Sequence, residues 1–131
     1  MNSYEKVLDF IQGGPEKRKK KIKLEIEYLQ KKVAAYFNLS PSLLTEKKRP
    51  KELVAPRQIA MYLSKEITGH YFDQIGECFR RDPTTVIYAY YKIKNQMEHD
   101  LSMKETITQL SCEIQKGIKE VHSEELQHQN T

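Results

Sequence analysis

The chain has 131 residues, 38% hydrophobic and 31% charged, with a formal net charge of +4, a size and balance that fit one globular domain with a short extra arm. No stretch approaches the roughly 18 consecutive apolar residues of a membrane span, and the charged start MNSYEKVLDF does not read as a secretory leader. A cytoplasmic protein with no membrane partner is therefore expected.

Charge is uneven along the chain. From Met1 to Gln58 there are 14 basic and 7 acidic residues, from Ile59 to Met97 5 and 4, and from Glu98 to Thr131 3 and 7, giving +7, +1 and −4. A positive first half suits a polyanion as well as simple solubility. Cys78 and Cys112 stand far apart without ligand spacing, and both read as small packing residues. His70, His99, His122 and His128 are scattered among polar residues, so no metal is expected.

Tyr4, Val7, Leu8 and Ile11 recur at helical spacing until Gly13-Gly14-Pro15 breaks the pattern, which makes residues 1–21 an amphipathic arm followed by a basic linker, Lys17 to Lys21. Ile22, Ile26, Leu29, Val33 and Tyr36 then give one apolar stripe on a helix ending near Asn38. Ser40-Pro41 opens a single turn with Leu43 and Leu44. A basic loop, Glu46 to Lys51, precedes a second helix that starts at Pro56, carries Ile59, Ala60, Leu63 and Ile67, and stops at Gly69.

Phe72, Ile75, Gly76 and Phe79 predict a two-turn helix. Arg80-Arg81-Asp82-Pro83 makes a tight turn into the next one, where the Asp82 carboxylate is placed to cap the first amides and Pro83 gives up only a donor that the helix start leaves orphaned. Val86, Ala89, Tyr90, Ile93 and Met97 form the inward stripe of that helix, leaving Thr84, Thr85, Tyr88, Tyr91, Lys92 and Asn95 outward. Ser102 with Glu105 reads as a capping box for a last helix through Ile107, Leu110, Ile114, Ile118 and Val121, and residues 122–131 read as a frayed polar tail. No segment alternates like a strand, so the fold class is all-α, a small helical bundle with residues 22–121 as its domain.

A two-turn helix, a tight turn and a capped helix with small polar residues on its exposed first turn is the helix-turn-helix layout. Its second helix enters the major groove N-terminus first. Thr84 and Thr85 carry hydroxyls that pair with base edges and methyls that pack on thymine, while Arg57, Arg81 and Lys92 fall where phosphates lie and the basic loop can reach a minor groove. The plainer alternative is that the two threonines merely cap the helix.

The stretch Ala55-Pro56-Arg57-Gln58-Ile59-Ala60-Met61-Tyr62-Leu63, then Ile75-Gly76-Glu77-Cys78-Phe79, then Arg81-Asp82-Pro83-Thr84-Thr85-Val86, closely resembles the C-terminal helix-turn-helix domain (domain IV) of the bacterial replication initiator DnaA family. The resemblance runs from about Ile22 to about Ile118 and implies a Trp-repressor-like bundle whose partner is double-stranded DNA at a DnaA box. It also implies roles for residues. The minor-groove cation falls in the loop containing Lys48, on Arg49 or Lys51; Arg57 and Gln58 match a DNA-contacting pair; Lys65 and Lys92 match backbone-side lysines; and Asp82, Thr84 and Thr85 match the signature turn. Pro83 stands where the family has a base-contacting histidine, Tyr71 and Phe72 replace a small cap and a leucine, and the turn after Phe79 is one residue short.

No phosphate loop G-x-x-x-x-G-K-[ST] occurs, so neither a nucleotide nor any other cofactor is expected. The chain reads as a stand-alone DnaA-related regulator of replication initiation or transcription, or as a domain cut from a longer protein, with Met1 and the unmatched arm favouring the first. Two rivals are an adaptor that holds a protein partner through the arm and the acidic last helix, and a backbone or RNA binder resting on Lys17 to Lys21. No paired carboxylates and no Ser-His or Cys-His context point to an enzyme.

Overall fold

A computed structural model of the chain describes residues 14–129 together with Val7, so the expected amphipathic arm from Tyr4 to Ile11 lies outside the described residues, apart from the exposed Val7. Helix α1 spans Pro15–Tyr36, with proline at its first position behind Gly14 at φ 91°. The run Lys17 to Lys21, expected as a linker, instead forms the first turns of this helix, because nothing after Pro15 interrupts its backbone bonding. Ile22, Ile26, Leu29 and Val33 are buried as their spacing predicts. Tyr36 departs from the stripe: it is half-exposed, and Phe37 packs against the core beside it. The helix closes with Asn38 in the left-handed region at φ 57° and a Leu39 N–H donating to the Ala34 carbonyl at 2.8 Å.

Pro41–Leu44 is one turn of 3-10 helix that buries Leu44. A second 3-10 turn, Lys51–Leu53, buries Leu53 and runs directly into α2, Val54–Thr68. The second helix therefore begins two residues ahead of Pro56, where a proline is still tolerated within the first turn. It ends as expected at Gly69, φ 69°, whose N–H donates to Lys65 O at 3.0 Å.

Helices α3, Phe72–Phe79, and α4, Pro83–His99, follow, and α5 runs Leu101–Gln129. Helix α2 packs on α1 and α4, α3 lies against α4, and α5 closes the bundle over α1 and α4. Ile26, Leu29, Ile59, Leu63, Ile75, Phe79, Val86, Ile93, Leu110 and Ile114 make one continuous core. Two polar side chains tie α1 to the motif. Gln30 donates to the Cys78 carbonyl at 3.2 Å, and His70 Nε2 lies 3.3 Å from the Glu25 carboxylate, so His70 is an inter-element contact rather than a scattered surface residue. Of the cysteines expected to pack, Cys78 does so half-buried, whereas Cys112 is exposed.

The start of α5 differs from the sequence reading. Ser102 already lies inside the helix, and it is Asp100, in extended conformation, whose Oδ1 accepts the Met103 N–H at 3.2 Å. Asp100 and Met103 hold the cap-to-third-residue spacing that Ser102 and Glu105 were expected to hold, two residues upstream. At the other end the helical backbone continues to Gln129, into the segment expected as a polar tail. Asp100→Ala is expected to lower stability by about 1 kcal/mol and Ser102→Ala by less than about 0.5 kcal/mol in denaturant melts; equal effects would return the cap to Ser102.

Candidate nucleic-acid interface

The turn between α3 and α4 rests on a glycine. A Cβ at Gly76 would stand 2.6 Å from the Arg81 carbonyl oxygen, and the Arg81 N–H donates to Gly76 O at 2.8 Å, so the backbone after Phe79 folds against α3 at a distance only glycine permits. Arg80 takes the left-handed position, φ 58°, that ends α3. A non-glycine residue there costs roughly 1–2 kcal/mol, so a long cation is kept where a glycine would be easier.

Asp82 occupies the N-cap position of α4 and Pro83 the first helical position, as the sequence implies. The carboxylate, however, makes no capping bond. Pro83 has no N–H, and the Thr85 N–H donates to the Asp82 backbone carbonyl at 3.0 Å, which satisfies it without the side chain. The Asp82 carboxylate is thus left on the exposed rim of the turn beside Pro83, Thr84 and Thr85, all exposed. Tyr88 is 63% and Tyr91 58% exposed farther along the same helix, with Lys92 Nζ 5.9 Å from the Tyr88 ring centre.

The inward side of α4 is held by aromatic contacts. Tyr90 stacks on Tyr62 at 5.3 Å, meets the Phe72 ring edge-on at 5.8 Å, and donates its hydroxyl to Glu66 Oε1 at 2.5 Å. That bond, then burial, pushes the Tyr90 phenol up from 10.0 to about 12.

The basic loop is fixed by arginines. Arg57, only 5% exposed, donates from Nε and Nη2 to the Leu43 carbonyl at 3.0 and 2.8 Å and from Nη1 to Lys48 O at 2.6 Å. Arg81 donates from Nη2 to Glu46 O and from Nη1 to Phe79 O at 3.1 Å and Arg80 O at 3.2 Å. Burial pulls both guanidiniums below the ordinary arginine range; Glu46 partly restores Arg57, and Arg49 lowers both by repulsion. Arg57, expected at a phosphate, is therefore a buried loop-holding residue, and Arg81 is largely turned inward as well. Lys65 has a similar part: its ammonium donates to His70 O at 2.9 Å and lies 4.7 Å from the Phe72 ring centre. Gln58 is half-buried beside Arg57.

Lys48, Arg49 and Lys51 stay exposed on the loop that Arg57 holds. A cleft of about 460 Å³ joins loop and motif, lined by Lys47 and Arg49 on one side and Arg80, Arg81, Asp82 and Thr85 on the other. Lys51 is outside that lining, so of the two loop cations put forward for a minor groove it is Arg49 that stands beside the helix start. Lys47 and Arg80 were not singled out by sequence reasoning; the signals were the unbroken basic loop and the shortened turn.

Fold and site define a helix-turn-helix module, with a glycine-dependent turn, an exposed polar helix start and a basic loop beside it. A family profile described as "Bacterial dnaA protein helix-turn-helix" matches residues 26–93. Over 91 residues the chain is 43% identical to the chromosomal replication initiator protein DnaA of Limosilactobacillus fermentum, covering 69% of this chain and 21% of that protein. Over 82 residues it is 49% identical to DnaA of Buchnera aphidicola subsp. Cinara cedri, 62% of this chain and 18% of that protein. A crystal structure of a DNA replication initiation factor superposes with a TM-score of 0.77 at 25% identity, over 87% of this chain and 36% of that one. The chain belongs to the bacterial DnaA helix-turn-helix family, and it spans about a fifth of the length of the curated relatives it matches.

Two outcomes follow from this geometry. Arg57→Ala should destabilise the fold by about 2–4 kcal/mol, because two loop carbonyls lose buried charged donors, while Arg49→Ala should stay within about 0.5 kcal/mol; thermal melts of both variants check the division between holding and exposed cations. The raised Tyr90 phenol stabilises the folded chain fully below pH 10, the unfolded value, and that contribution is lost as pH rises through about 12. Tyr90→Phe should flatten the alkaline fall of stability over that window, and an unchanged slope would place its cause elsewhere.

Proposed function

We propose that this chain binds double-stranded DNA sequence-specifically at DnaA-box-like sites, acting as a regulator of replication initiation or transcription that supplies no ATP-driven step of its own. The observation that carries the reading is the convergence of the exposed start of α4 and the basic loop on one cleft, with Asp82 and Thr85 facing Lys47 and Arg49. In a helix-turn-helix complex the start of the second helix meets base edges in the major groove, and a loop a few ångströms away reaches the adjacent minor groove. Thr84 and Thr85 offer hydroxyls and methyls to bases, Tyr88 and Lys92 stand one to two turns along for phosphates, and Arg49 is the loop cation for the minor groove. Arg57 and Arg81 act indirectly, by holding that loop in place.

Pro83 narrows what can be read. It presents no donor at the leading position of α4, so a purine N7 or O6 facing it goes unmatched and site preference there relaxes. Within these 131 residues no phosphate-loop motif is present, which fits a module that recognises sites and leaves strand opening to other residues or proteins.

Fluorescence anisotropy of a DnaA-box duplex against a scrambled duplex of equal length, at about 150 mM salt, tests this. A preference of about 100-fold, roughly 2.7 kcal/mol, is expected for the native chain. Thr84→Ala with Thr85→Ala should reduce it by about ten-fold or more while leaving the melting temperature nearly unchanged. Equal affinities of the native chain for both duplexes overturn the reading and favour a protein-binding adaptor.

A further inference from the structure

Residues 15–23 read PEKRKKKIK, six cations and one acid, a net +5 that exceeds the +4 of the whole chain. In the structure they form the opening turns of α1, upstream of Ile26 where the family match begins. For helix stability the placement is poor. Cations at a helix N-terminus oppose the helix dipole, and Lys17 with Lys21 and Lys19 with Lys23 are like charges four residues apart. Glu16 in the first turn, Glu25 beside Arg18 and Lys21, and Glu27 beside Lys23 offset part of this charge, and the surplus leaves the run open to an outside anion.

The location of these turns says where that anion comes from. Lys19 and Lys23 line a cleft of about 630 Å³ together with Gln74 and Arg80 of the motif. Arg18 and Lys21 line a second cleft with Tyr71 and Gln74, at the start of α3. The basic turns therefore flank α3 on both sides, and α3 is the helix that in this motif crosses the DNA backbone. Arg80 belongs both to the first of these clefts and to the loop-motif cleft already described, so one basic track runs from Arg49 through Arg80 to Lys23 and Lys19. Glu27 and Glu77 also border the track. Glu27 lies 3.9 Å from Lys23 with both side chains well exposed, at 71% and 46%, a pair weak enough to be exchanged for a phosphate.

We infer that the basic opening turns of α1 are a second DNA contact, gripping phosphates of the same duplex just outside the recognised site. The inference rests on the DNA-binding reading above. It gives this chain a longer footprint than the matched helix-turn-helix region supplies, and an affinity that depends on flanking length without depending on flanking sequence. Lysine is the suitable residue for it, since a compact ammonium on a flexible stem meets phosphates without demanding one geometry.

The test uses the full chain and a variant carrying Lys19→Gln, Lys21→Gln and Lys23→Gln, which keeps helix-forming side chains. Kd is measured by anisotropy between about 50 and 200 mM salt on a box duplex of about 13 base pairs and on one extended to about 30 base pairs. The native chain should gain about ten-fold or more on the longer duplex, with a salt dependence steeper by about 0.9 in log-log slope for each added phosphate. The variant should lose that gain, bind the short duplex as the native chain does, and melt at an equal or higher temperature because like-charge repulsion has been removed. An undiminished length gain in the variant overturns the flanking contact. Absence of box preference on the short duplex for both proteins overturns the site-binding reading instead, and the same length series on scrambled DNA still decides whether the three lysines grip phosphate.

Discussion

The candidate interface depends on two guanidiniums that spend their donors on the backbone, Arg57 buried beneath the loop and Arg81 at the edge of the cleft. Arg57 and Arg81 direct most of their donors to backbone carbonyls of residues 43–48 and of the motif turn. An arginine fork pre-organised in this way holds a loop with few apolar contacts of its own, which hydrophobic packing cannot do. Burial is what chiefly lowers the proton affinity of both guanidiniums; Glu46 offsets part of it at Arg57, while at Arg81 repulsion from Arg57, Arg49 and Arg80 adds to it. The arginines gathered around Arg81 raise the local positive potential, which on the proposed DNA-binding reading favours a phosphate there.

The second requirement is that α4 present its start at a fixed angle, and this is met from behind. Gly76 lets the Arg81 carbonyl approach α3 to a distance that any side chain would block. Tyr62, Phe72 and Tyr90 wedge the middle of α4 against α2 and α3, with the Tyr90 hydroxyl on Glu66. Tyr71 and Phe72, which depart from the family pattern, divide the work: Phe72 joins the wedge and receives the Lys65 ammonium over its ring, while Tyr71 is exposed at the start of α3.

Much of this was legible in the sequence where a period or a stop residue carries the signal. The buried stripes of α1, α2 and α4, the left-handed Gly69, the short turn through Arg81 and the proline start of α4 follow from apolar spacing and from the few residues that tolerate those dihedrals. What was not legible is which of several equivalent side chains a local feature uses. Asp100 and Ser102 are both good caps, and the structure uses Asp100, whose extended backbone precedes the helix while Ser102 lies inside it. Arg57 and Arg49 are chemically identical, and only the three-dimensional path of the loop turns one inward and leaves the other exposed. A family correspondence assigns a role to a position, but the structure shows the Arg57 guanidinium already committed to the Leu43 and Lys48 carbonyls. The basic run at 17–21 was read as a linker because it follows the Gly13-Gly14-Pro15 break and carries no apolar residue of the stripe that starts at Ile22, yet Lys and Arg are good helix formers and the helix extends through them.

Pro83 is the substitution on which the competing readings turn. The residues around it keep the turn closed and its polar face open. Arg80 holds a left-handed conformation that glycine would take more easily, Gly76 keeps the turn closed, Thr84 and Thr85 stand exposed without a capping role for the turn, and the loop cations sit opposite them. A proline at the first helical position also fixes φ near the helical value and stiffens the segment that meets the groove. On the proposed reading, the exchange trades one hydrogen-bond donor at the bases for a firmer helix start, and the cations on the loop and the turn would supply backbone affinity in place of the missing contact.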